Sequence, residues 1–145
     1  MRVISQKEKR RIIMKKALSL AVIAALAAIV VAGCTKGYET RKTAGDLTVT
    51  LSSSSYPLVK GDNMLAVKLA DTSGKAVTDA KVDVRYYMPP MPGMAPMEYR
   101  AQATQTGDAY KFTVNVPMEG GWRVDVTANR GGSVLPAATF NIDAR

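Results

Sequence analysis

The pattern of hydrophobic and polar positions divides the chain into an apolar leader and an alternating remainder. In the leader, Lys15 and Lys16 precede a sixteen-residue apolar run over residues 17–32. This is the layout of a bacterial signal peptide, and the run is short for a membrane span, which needs about 20 residues. From Asp46 onward, apolar and polar residues alternate, which is typical of β-strands with one buried face.

Seven segments of the remainder show this alternation, and Gly, Pro, Asp and Asn mark the intervals between them. They cover residues 47–51, 65–69, 82–86, 99–104, 110–116, 122–128 and 140–142. Because no helical periodicity follows the leader, the pattern predicts an all-β fold, an immunoglobulin-like antiparallel β-sandwich of about seven strands. Trp122 alternates in phase with Val124 and Val126 and is therefore predicted to lie in the core.

The tetrapeptide ending at Cys34, Val-Ala-Gly-Cys, resembles the bacterial lipobox, and Cys34 is the single cysteine of the chain. Residues 1–33 are therefore predicted to be a lipoprotein signal peptide, with Met14 as an alternative start, and Cys34 to carry lipid. An ordinary secreted protein cleaved near Ala32, or an uncleaved anchor, is the alternative. Residues 34–45 are polar and predict a short lipid-anchored tether, followed by the β-domain at 46–145.

These features predict a lipid-anchored protein of the bacterial cell envelope that faces the periplasm and contacts the membrane through its N-terminal lipid. Thr35, rather than Asp, follows the cysteine. By analogy with sorting in enteric bacteria, this favours the outer membrane over the inner one.

Charge and composition exclude several classes of function. The net charge is +8, but residues 1–33 account for +6 of it, so the basic excess gives no reason to expect a nucleic-acid partner. The chain has no histidine, which excludes histidine-based catalysis and nearly all protein zinc sites. The carboxylates, Asp125 among them, fall in turns or on outward strand positions and indicate solvated faces. We therefore expect a protein that is not an enzyme.

The most distinctive motif is a run of methionines at every third position, interleaved with prolines. It comprises Met88, Met91, Met94 and Met97. Period three is that of polyproline II, and thioether sulfurs suit Cu(I), Ag(I) and similar soft ions. A straight rod spaces successive methionines by about 9 Å, too far for one ion, but a turn at Pro92-Gly93 would bring Met91 and Met94 together. Met118 is a candidate fifth ligand if its loop lies at the same end of the sandwich.

Two other interpretations of the methionine run remain open. Methionine is flexible and apolar, so the loop is equally suited to dock another envelope protein, in which case the domain is a structural or adaptor module. The side chains can also simply fill irregular gaps at the open end of a sandwich. Taken singly, Met64 and Met118 fit this packing role better than a ligand role.

Four segments together resemble the YtkA-like/FixH family over roughly residues 46–143. They are the stretch from Gly74 to Val82, the Met-Pro-rich run from Met88 to Met97, Gly107-Asp-Ala-Tyr110, and the stretch Pro117-Met-Glu-Gly-Gly-Trp122 continued to Val126. The resemblance implies an extracytoplasmic β-sandwich. FixH-type members are associated with assembly of copper-containing cbb3-type oxidases, and similar domains accompany heavy-metal efflux systems.

The expected partner is thus a metal transporter, an efflux complex or an oxidase-assembly factor. FixH proteins keep a transmembrane anchor where this chain has a lipobox. Because of this difference, we expect a role in copper handling or efflux more than a role in oxidase assembly.

Overall fold

The computed structural model describes residues 37–145, which fold into ten β-strands and contain no helix that could span a bilayer. The predicted signal peptide and the predicted lipidation site, Cys34, lie outside the described residues. The strands are β1 (Tyr38–Ala44), β2 (Leu47–Ser53), β3 (Gly61–Ala70), β4 (Lys81–Met88), β5 (Met97–Gln102), β6 (Thr104–Thr106), β7 (Ala109–Val116), β8 (Gly120–Arg130), β9 (Ser133–Val134) and β10 (Ala138–Ala144).

The strands form two antiparallel sheets that pack face to face. The first has the order β1-β2-β3-β7-β6, and the second the order β10-β8-β4-β5, with β9 beside β8. Without β1, the orders β2-β3-β7-β6 and β10-β8-β4 are those of the two sheets of an immunoglobulin-like sandwich. Strand β5 is an additional strand beside β4. The predicted all-β sandwich is therefore confirmed.

The core consists of the inward positions of both sheets. Leu51, Val67 and Val114 in the first sheet and Val124 in the second have no exposed surface, because successive side chains of a strand point to opposite faces and these four point inward. Trp122 is only 1% exposed, which confirms its predicted place between the sheets. Its indole nitrogen donates to the carbonyl oxygen of Met118 at 3.2 Å, so burial leaves this donor satisfied.

The seven predicted strands correspond to β2, β3, β4, β5, β7, β8 and β10, whereas β1, β6 and β9 were missed. Residues 38–44, predicted to belong to the tether, are strand β1 and pair with β2 along their whole length. An edge strand is held by backbone hydrogen bonds and needs no apolar face, so its polar sequence gave no alternation. The tether prediction for these residues is wrong, and three residues, 35–37, separate Cys34 from β1.

The sandwich has two ends that differ in sequence. We call one the methionine end; it holds the loops at 54–60, 89–96 and 117–119. The strand register brings these loops together, since Gly61 lies opposite Val116 and Tyr87 opposite Arg123. Strand β1 also starts there, because Tyr38 lies opposite Ser53. The other end, which we call the turn end, holds the connections at 45–46, 71–80, 107–108 and 131–132.

Candidate functional site

The methionine run forms the tip of the β4–β5 hairpin. Met88 and Met97 lie directly opposite each other in the register of these strands, so eight residues, 89–96, make the loop. Within it, the backbone N–H of Met94 donates to the carbonyl oxygen of Met91 at 3.2 Å. Gly93 has φ +81°, the left-handed conformation required at the third position of a type II turn. The Pro92-Gly93 turn expected from the sequence is therefore present, and the run is not a straight rod.

The hairpin divides its four methionines into two pairs. Met88 continues the inward phase of Val84 and Tyr86 and is only 7% exposed, while Met97 is half-buried against the core. Met91 and Met94, which flank the turn, are each 41% exposed. The strands thus hold two thioethers at the base of the loop, and the turn holds two at its tip.

All four methionines line one small cavity of about 10 Å³. Its other walls are Pro89, Pro90, Ala95 and Pro96, so the lining has no ionisable side chain. The volume is close to the minimum that accepts a single water molecule, which is the scale of one ion rather than of an organic ligand. Among the side chains that line this cavity, the only potential donor atoms are thioether sulfurs, which favour soft ions.

Met118 stands apart from this cavity. It is half-buried, packs against the core and is not among the residues that line the cavity. The loop that holds Met118 lies at the same end of the sandwich as the hairpin. The contact with the hairpin is made by Gly120, the first residue of β8 after this loop. A Cβ atom placed on Gly120 would lie 3.1 Å from Cε of Met88. Sequence reasoning did not identify Gly120 as a contact, although the Gly-Gly doublet before Trp122 was the available signal.

Aromatic side chains support the base of the hairpin. The rings of Tyr86 and Tyr99 stack with centroids 5.3 Å apart, and each lies 6.2 Å from the ring of Trp122. The hydroxyl of Tyr86 accepts a hydrogen bond from the backbone N–H of Asn115 at 3.2 Å, which connects β4 to the opposite sheet. These contacts fix the backbone that presents Met88 and Met97.

A second, larger concavity of about 680 Å³ lies on the outer face of the second sheet, and two of its charged groups, Arg85 and Asp125, pair with each other. Arg85 donates to Asp125 at 2.7 and 3.1 Å, and the Thr139 hydroxyl donates to the same carboxylate at 2.7 Å. The hydrogen bond to Asp125 raises the pKa of Arg85. Asp125 is only 9% exposed, so its predicted place on a solvated face is wrong.

Residues 37–145 contain no group of three or more carboxylate or cysteine side chains placed so that they could hold a metal ion.

Comparisons with known proteins place the chain in a family. The crystal structure of the PmoD soluble domain from Methylocystis sp. ATCC 49242 (Rockwell) aligns with a TM-score of 0.47 and 13% identity, over 72% of this chain and 96% of that one. No curated protein matches the sequence significantly. The model of the YtkA-like family matches residues 41–127, a range that begins in β1, ends in β8 and includes the whole methionine loop. The chain belongs to the YtkA-like family.

Proposed function

We propose that this protein is a lipid-anchored, non-catalytic accessory protein of the bacterial cell envelope that binds Cu(I) or Ag(I). The ligands are the thioethers of Met88, Met91, Met94 and Met97. The observation that carries the proposal is that strand register and one tight turn bring these four side chains around a single cavity of atomic size.

The chemistry of the lining supports a soft monovalent ion. Thioethers are soft donors and carry no proton that must leave before binding. Zinc and magnesium prefer thiolate, imidazole or oxygen ligands, none of which the cavity walls supply from a side chain. The proposed site therefore selects soft monovalent ions over zinc and magnesium through the kind of donor atom that it offers.

The two pairs of methionines have different parts in the proposed site. Met88 and Met97 are held by paired strands and by the aromatic cluster beneath them, so their backbone positions are fixed before an ion arrives. Met91 and Met94 lie at the surface. An ion can therefore reach the site from solvent and be released again without opening the core, as a carrier requires.

Family membership supports an extracytoplasmic accessory role. In this proposal the lipid on Cys34 holds the protein at the periplasmic face of the envelope, with the outer membrane favoured. The partner that delivers or receives the ion is a metal transporter, an efflux complex or an oxidase-assembly factor.

Calorimetric titration of residues 35–145 with Ag(I), in a buffer free of chloride and thiols, tests the proposal. This fragment contains all ten strands of the described residues and the hydrophobic core that they form. We expect a saturable Ag(I) site and no Zn(II) site. An Ag(I) titration without a saturable site would rule out the metal-binding function.

The anchor is tested separately. Cys34→Ser should abolish the lipid mass shift and move the protein from the detergent phase to the aqueous phase. Unmodified Cys34 in the mature wild-type protein would exclude the lipid anchor while leaving the Ag(I) result standing.

A second candidate function is an adaptor that docks another envelope protein through the same loop. The exposure of Met91 and Met94, 41% each, favours it, because exposed methionines form adaptable contact surfaces. This function predicts no saturable Ag(I) binding, together with loss of a co-purifying envelope protein when both methionines are replaced by serine. The titration therefore separates the two candidates.

A further inference from the structure

Exposed apolar side chains concentrate at one end of the sandwich. Seven large apolar side chains are exposed among residues 37–145, and Val134, near the turn end, is one of them. The other six lie in the loops of the methionine end or in the adjoining parts of β3 and β5. They are Tyr56, Val59, Met64, Met91, Met94 and Tyr99. Such an asymmetric distribution is unusual for a surface that faces only water.

Charge is distributed in the opposite way. The three loops of the methionine end, residues 54–60, 89–96 and 117–119, contain Lys60 and Glu119 as their only charged side chains. The connections of the turn end contain one lysine and four carboxylates, Asp46, Asp71, Asp79 and Asp108. Arg145 also lies at the methionine end, where its backbone hydrogen-bonds to Leu58 and Lys60. The loops of the methionine end are therefore less charged and more apolar than the connections of the turn end.

The chain enters the domain at the methionine end. Tyr38, the first residue of β1, lies opposite Ser53, and its ring stacks on that of Tyr56 with centroids 4.2 Å apart. Three residues, 35–37, separate Cys34 from Tyr38. Their fully extended length keeps the Cα atoms of Cys34 and Tyr38 within about 14 Å of each other. The ten residues of β3 span about 34 Å, which exceeds the reach of this connection, so the turn end can approach the bilayer only if the domain lies flat on it.

From these three observations we infer that the methionine end lies against the lipid bilayer, with Val59, Met91 and Met94 in the headgroup layer, and that the turn end points away from it. The inference rests on the lipid at Cys34 that the proposed function includes. It places the mouth of the thioether cavity at the membrane surface. An ion would then pass to or from a partner whose binding site opens at the bilayer, rather than one in the open periplasm.

Fluorescence quenching in vesicles tests this orientation. Ala95→Cys and Ser54→Cys put a thiol in two different loops of the methionine end, and Ser133→Cys puts one near the turn end; all three positions are exposed. Because the thiol of Cys34 carries lipid, each full-length lipidated variant has one free thiol for an environment-sensitive fluorophore. The labelled proteins are reconstituted in phosphatidylethanolamine–phosphatidylglycerol vesicles that contain a lipid with a nitroxide on its headgroup.

We expect the fluorophores at residues 95 and 54 to be quenched several-fold more than the one at residue 133. Equal quenching at the two ends, as in a domain lying flat or tumbling freely, would overturn the inference, and so would stronger quenching at residue 133. Two labels at the methionine end guard against a local disturbance of the hairpin by the label at 95.

Sedimentation of the same samples with the vesicles separates this inference from the proposed anchor. Protein that sediments but shows no difference between the ends refutes the orientation alone. Protein that fails to sediment refutes the anchor and, with it, the orientation. Neither result bears on the Ag(I) titration, which uses residues 35–145 in solution.

Discussion

The methyl group of Met88 packs directly over Gly120, where a Cβ atom would come within 3.1 Å of it. Gly120 has φ +128°, a conformation that residues with a side chain rarely adopt, whereas no such conformation is found at Gly121. One glycine therefore lets the β7–β8 loop close against the base of the methionine hairpin.

Replacement of Gly120 by alanine should lower the free energy of unfolding by about 1–3 kcal/mol, because it adds backbone strain at a positive φ and crowds the terminal methyl group of Met88. It should also weaken Ag(I) binding, since Met88 must move. Gly121→Ala is the matched control. Its Cβ would meet only Asp143 Oδ1, at 3.9 Å, and it should change stability by less than about 1 kcal/mol. Denaturant unfolding and calorimetry of both variants measure the difference, and equal effects would contradict the packing argument.

The double variant Met91→Ser with Met94→Ser should lose most Ag(I) affinity while its free energy of unfolding stays within about 1 kcal/mol of wild type, because both side chains lie at the surface. Met64→Ser is the control, since Met64 is 62% exposed on β3 and does not line the cavity. Calorimetry at pH 5 and at pH 7 should give the same affinity for the wild type, because thioethers carry no competing proton. Equal loss in the Met64 variant would point to unspecific binding.

Trp122→Ala should cost about 3–5 kcal/mol of unfolding free energy, as expected for a large core side chain replaced by alanine. The indole is 1% exposed and contacts the tyrosine rings beneath the hairpin. Chemical denaturation followed by circular dichroism measures the loss. A variant with wild-type stability would show that the aromatic cluster does not support the fold.

Asp125→Ala should cost about 1–3 kcal/mol, because on the outer face of the second sheet it leaves the Thr139 hydroxyl without its partner and leaves Arg85 only its exposed contact with Glu98 at 3.3 Å. Asp83→Ala removes an exposed carboxylate from the same face and should be nearly neutral. Thermal unfolding of the two variants side by side checks the prediction. Similar melting temperatures would mean that the Arg85–Asp125 pair adds no net stability.

The domain should lose stability as the pH falls below about 4, the ordinary carboxyl range. A hydrogen bond from Lys68 lowers the pKa of Asp108, one from Arg130 lowers that of Asp79, and one from Ser73 lowers that of Asp71. Because these groups bind protons more weakly in the folded chain, their contribution is present above the unfolded pKa and disappears as the pH drops through the folded pKa. Lys68→Met and Asp108→Asn should each reduce the slope with which the unfolding free energy falls at acidic pH. An unchanged slope in both variants would contradict this assignment.

The sequence by itself determined which segments become the main strands, because alternation of apolar and polar residues is a local property that burial of one face imposes. It also indicated Trp122 as a core residue and the turn at Pro92-Gly93, since a proline and a glycine at adjacent positions favour this turn regardless of the rest of the chain. The methionine spacing and the Gly-Gly-Trp turn were sufficient to suggest the family that the comparisons confirm.

Only the tertiary structure decided how these pieces meet. Strand β1 has a polar sequence and is defined by its pairing with β2, which no local period encodes. The four methionines are equivalent in the sequence, yet Met88 is buried and Met91 exposed, because the register of β4 and β5 sets where the strands end and the turn begins. The contact between Met88 and Gly120 and the pairing of Arg85 with Asp125 join residues more than thirty positions apart, so they arise from the order of strands in the sheets rather than from any local pattern.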